Sequence, residues 1–142
     1  MRAYGAGRGS AASTSVRGPA LFAIASRPVN LVECGVFNTT ATAFAVALSK
    51  ATAAGTTTGS VTEVSDDPEV TPVGVVTTGH SADATVTGPY TQASIGAAIG
   101  AGVIWTFGKN GLRVPAGTAN GFILTLPTGT GQIFDFYFVW DE

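Results

Sequence analysis

Charge is scarce in this sequence. Only 11% of its 142 residues are Asp, Glu, Lys or Arg, against about 25% in an ordinary soluble domain. Charge keeps a compact monomer in solution. A surface this poor in it suits a protein whose faces are covered by neighbours. Cys34 is the single cysteine, which excludes an intrachain disulfide and leaves a zinc site short of ligands. His80 is the single histidine, too few for the clustered ligands of a metal-dependent all-β enzyme. Without a Ser, Cys or Asp motif beside it, such a histidine is more often a surface or hydrogen-bonding residue than a base. No G-x-S-x-G elbow occurs either. The chain therefore reads as no enzyme, with no cofactor and no metal. No apolar run of about 18 residues occurs, so no membrane-spanning helix is expected. The opening residues lack the apolar stretch of a signal peptide, and synthesis in the cytoplasm is expected.

What is present is small and apolar. Apolar residues make up 45% of the chain and glycine alone counts 19. This length fits one domain with a core that needs no staples. The net charge of −2 gives no reason to expect specific nucleic-acid binding. The charges are unevenly spread. Arg2, Arg8, Arg17 and Arg27 precede the first acidic residue, Glu33, and the carboxylates gather later, in Glu63, Asp66, Asp67 and Glu69 and again in Asp141 and Glu142. A basic tail of one copy can then meet an acidic patch of another.

Residues 1–19 hold little that is both apolar and large, and read as a flexible Gly/Ala/Ser/Arg arm outside the core. Arg2, Arg8 and Arg17 on that arm are the candidate partner-binding residues, able to grip carboxylates or phosphates. The domain proper is 20–142. Strands are expected at 20–25 and 30–39, then a polar turn at 38–42. Residues 43–50 allow an amphipathic helix or a strand. The alternation of Phe44, Val46 and Leu48 with alanines favours the strand. Residues 60–64 read as a short strand or one helical turn. Asp66, Asp67 and Glu69 form a solvated turn more readily than a calcium loop, since the EF-hand spacing is absent.

Further strands are expected at 72–78 and 84–87, followed by a long, glycine-rich connection from Tyr90 to Gly102. In 102–107, Val103, Trp105 and Phe107 share a face. Lys109-Asn-Gly111 reads as a type I′ hairpin turn. The last strand places Phe134, Phe136, Phe138 and Trp140 on one side. Both of its faces are largely apolar, so it belongs in the middle of a sheet or across a subunit boundary. Asp135, among aromatics, should face a polar interface or pair with an arginine such as Arg113. Together this predicts about eight to ten short strands, in a single all-β sandwich of jelly-roll or Greek-key type with an extended N-terminal arm.

Three stretches carry a resemblance: Gly102-Val-Ile-Trp-Thr-Phe-Gly108, the run from Leu112 to Gly121, and Tyr137-Phe-Val-Trp-Asp-Glu142. With Val32 to Thr40, they resemble small virion structural proteins of tailed bacteriophages that infect actinobacteria. The resemblance implies a β-sandwich subunit of a phage particle, such as a capsid decoration (cement) protein or a minor head or tail component. It implies residence in the virion, homo-oligomers with a trimer favoured, and the major capsid or tail protein as partner. Repeated weak contacts on such a shell gain avidity. An alternative is a head-fibre or tail-tip domain that binds a host glycan, with Trp105, Tyr90 and Trp140 available for stacking. Their alternation favours core roles for the two tryptophans.

Overall fold

The computed structural model describes residues 1–12 and 15–142. Its described residues form twelve strands and no helix. They are β1 (Arg2–Ala12), β2 (Ala20–Phe22), β3 (Val29–Asn38), β4 (Phe44–Ala53), β5 (Thr57–Ser60), β6 (Val64–Ser65), β7 (Val75–His80), β8 (Thr85–Ile95), β9 (Gly102–Thr106), β10 (Leu112–Val114), β11 (Gly121–Thr128) and β12 (Thr130–Asp141). One sheet runs β10-β3-β12-β1-β6, with β9 also on β3, and the other runs β5-β7-β2-β11-β4-β8. Each pairing is antiparallel.

No hydrogen-bonded pair joins strands adjacent in the chain. The chain mostly crosses to the other sheet at each turn. Four strands in the order β1-β12-β3-β9 face four in the order β2-β11-β4-β8. This is jelly-roll order. The insertion β5–β7, between β4 and β8, widens both sheets on one flank.

The strand count exceeds the expected range because 57–65 holds two short strands, β5 and β6, where one was expected, and because the arm is not an arm. β1 lies inside its sheet, in register with β12 from Arg2↔Asp141 to Ser10↔Ile133. The reason is side-chain size. Ala3, Gly5, Gly7 and Gly9 point toward the other sheet and Arg2, Tyr4, Ala6 and Arg8 point away. A Cβ on Gly5 would come within 2.7 Å of Val76 Cγ2, and one on Gly9 within 2.8 Å of the Thr78 carbonyl oxygen. The strand packs because it has no bulk there, so it carries no hydrophobic signal. Ser13 and Thr14, also assigned to the arm, lie outside the described residues.

β12 stands between β3 and β1, as its two apolar faces require. Phe134, Phe138 and Trp140 are fully buried, and Phe136 nearly so. Each such ring contributes about 1.5–3 kcal/mol by leaving water. They meet Phe44, Leu48, Phe122 and Leu124 of the second sheet in one cluster.

Two local expectations fail for non-local reasons. Lys109-Asn-Gly111 is no hairpin: β9 pairs with 33–37 of β3 and β10 continues along 29–31 of the same strand. The intervening residues loop out of a single edge and rejoin it. Gly111 takes φ +61° there, where a side chain would strike the Leu31 carbonyl. Asn110 has no positive φ. Next, Tyr90 to Gly102 is not one long connection, because β8 runs on to Ile95. Its proline, Pro89, is tolerated because β8 is an edge strand with a break in register against β4. The polar turn expected at 38–42 is present and joins the two sheets. Asn38 shapes it, donating from Nδ2 to the Thr42 and Gly96 carbonyls at 2.9 Å and accepting from the Thr40 amide at 2.8 Å.

Candidate interaction surface

The three arginines expected to grip a neighbour are each bonded within their own chain. β1 and β12 are directly opposed, so Arg2 faces Asp141 and Arg8 faces Asp135. Arg2 donates from Nε and Nη2 to Asp141 at 3.0 and 3.1 Å. Arg8 does the same to Asp135 at 2.7 and 3.2 Å. Arg17 donates from Nε to Asp83 at 2.8 Å. The Arg8 guanidinium holds the Asp135 carboxyl below its ordinary range, and Arg17 does so for Asp83. These pairs are solvent-exposed and weigh little in stability. The expected partner of Asp135, Arg113, instead lies opposite Asn30, because β10 pairs with the other end of β3.

The remaining singled-out groups serve the fold. Cys34 is buried, and burial pushes its thiol far up. His80 closes β7, 6% exposed rather than on the surface, with Nδ1 3.1 Å from the Gly18 carbonyl. Burial lowers its pKa. Asp66 accepts the Arg2 amide at 3.1 Å, and Asp67 accepts the Glu69 amide at 3.0 Å. The acidic stretch is thus a hydrogen-bonded turn beside β6. Glu142 accepts from the Trp140 indole at 2.6 Å and from the Gly74 amide at 2.9 Å, tying the 66–74 loop to the end of β12.

What is left without a neighbour is a flank. β8 and β9 lie on the same side of the sandwich, one at the edge of each sheet. No charged residue occurs between Asp83 and Lys109. Edge strands normally carry charge, because their unpaired amides and carbonyls invite another strand. Here only Pro89 interrupts. Val103, Trp105 and Phe107 face the core but stay half-buried. Outside them lie Tyr90, 46% exposed, and Ile104, 52%. The opposite flank carries the acidic turn. Sequence reasoning passed over this surface because its residues look like an ordinary glycine-rich loop and strand. The missing charge between Asp83 and Lys109 was the legible signal.

No protein-family model matches the chain, no curated protein matches it in sequence, and no solved structure matches it.

Proposed function

We propose that the chain is a structural, non-enzymatic subunit of a tailed-phage particle, a capsid decoration or minor capsid protein, packed against its neighbours along the uncharged β8–β9 flank. The flank carries the reading. Two open sheet edges whose own strands carry no charge are a liability on a free monomer and an asset in a subunit that is covered. The jelly-roll order and the low overall charge agree with it. The contact belongs to the flank rather than to an N-terminal arm, since β1 is part of the sheet.

Charge placed on the flank tests this. Thr87→Lys and Ile104→Lys change exposed side chains, so both variants should fold. Both should lose occupancy on particles, read by reconstruction of the purified virion. Wild-type occupancy of both would refute the docking surface. Absence of the chain from the particle would refute the virion reading itself.

A second reading rests on Tyr90 and the half-buried Trp105, rings on the two edges that suit sugar stacking. Specific glycan binding lost in Tyr90→Ala would favour it.

A further inference from the structure

An open cleft of about 550 Å³ lies on the flank opposite β8 and β9. Its walls include Arg8 and Ser10 of β1, Ser15 and Arg17 of the segment before β2, Thr58 of β5, Thr78 of β7 and the apolar Ile133 of β12. Two guanidinium groups and four hydroxyls therefore converge, and no carboxylate is among the described lining residues. Each arginine is instead paired with a carboxylate outside that lining. Asp135 fixes Arg8 and Asp83 fixes Arg17. A fork held in this way loses less freedom when it binds a ligand than a loose one does.

We infer that this cleft binds a carboxylate carried on a hydroxylated body, an acidic sugar. The arginine forks match the planar carboxylate. The serine and threonine hydroxyls both donate and accept, which suits sugar hydroxyls. The volume lies within the range of small-ligand sites. The site is independent of the docking flank and of any role in a particle.

The two partners of one ion pair supply a test with opposite signs. Arg17→Gln removes a donor from the cleft. Asp83→Asn removes the charge that competes with the ligand for Arg17, while its amide oxygen can still accept from the Val16 amide, as Asp83 does at 3.3 Å. Both break the same exposed pair, so a merely structural effect would be equal in both. The probe is glucuronate, titrated into the labelled protein and followed by amide chemical shifts, with glucose and acetate as comparison ligands. Saturable binding of glucuronate is expected, with glucose and acetate at least roughly tenfold weaker. Arg17→Gln should weaken it at least roughly tenfold, the loss of one charge-assisted hydrogen bond. Asp83→Asn should strengthen it. Arg113→Gln, outside the cleft with the same change in net charge, should leave it unaltered. No saturable shift at the cleft, acetate binding as tightly as glucuronate, equal weakening by Arg17→Gln and Arg113→Gln, or weakening by Asp83→Asn would each overturn the assignment.

Discussion

Replacing Gly5 by alanine tests whether β1 is a packed strand or a loose tail, because the two cases differ in sign. In a flexible tail the change is neutral. In an unstrained ordered site without crowding it stabilises, by about 0.4–1 kcal/mol, since alanine has less unfolded-state freedom to lose. In the structure the new Cβ would stand 2.7 Å from Val76 Cγ2 and 3.1 Å from Val76 Cβ. Val76 is fully buried in the inter-sheet cluster and cannot swing into solvent. Overpacking of this kind costs about 1–3 kcal/mol. The net expectation is a loss of about 1–2 kcal/mol, read from urea unfolding at unchanged m. Val76→Ala alone should cost roughly 2–3 kcal/mol. In the double variant the smaller side chain makes room for the new methyl. Its stability should lie near that of Val76→Ala, a coupling of at least about 1 kcal/mol. A neutral or stabilising Gly5→Ala, or strict additivity in the double variant, would refute the packing of β1 against β7.

Glu142→Ala leaves the Trp140 indole N–H and the Val73 and Gly74 amides without their acceptor, and should cost about 2 kcal/mol in urea unfolding; a change within about 0.5 kcal/mol, the scatter of ordinary surface substitutions, would sink that role. Tyr137 is desolvated and donates to Glu33 Oε1 at 2.7 Å, both of which push its phenol up. Its neutral form is favoured by folding, so that stability is present below the unfolded value of about 10 and lost as pH rises past it. Phenolate absorbance should show a tyrosine step above the ordinary range, and Tyr137→Phe should remove it. His80 has its pKa lowered by burial. The unfolded chain then takes up the proton first, and stability should fall as pH drops below about 6.5. His80→Gln should flatten that slope between neutral and mildly acid pH. For Asp83 and Asp135, lowered by Arg17 and Arg8, the contribution is present above the ordinary carboxylate pKa and disappears as pH falls through their lowered values. Asp135→Asn should be less sensitive to acid than the parent chain.

The sequence by itself determined the class of fold and the buried face of β12. Period-two alternation of Phe134, Phe136, Phe138 and Trp140 shows which side is buried, since side chains alternate strictly along a strand. An apolar pattern on both faces left the middle of a sheet or a subunit boundary, and the tertiary structure put the strand between β3 and β1. Pairing was not legible, because in this topology each hydrogen-bonded neighbour is distant in the chain. Asn110-Gly111 has the composition of a hairpin, yet β3 holds the segments before and after it in one line. Arg8 finds Asp135 only because β1 lies beside β12, a choice that no local pattern records. β1 itself was misread because hydrophobic periodicity registers large side chains, whereas Gly5, Gly7 and Gly9 serve by having none. The same holds for both candidate surfaces. The uncharged run between Asp83 and Lys109 is written in the sequence, but only the tertiary structure makes it two open edges on one flank. The cleft of Arg8 and Arg17 exists only where segments distant in the chain meet.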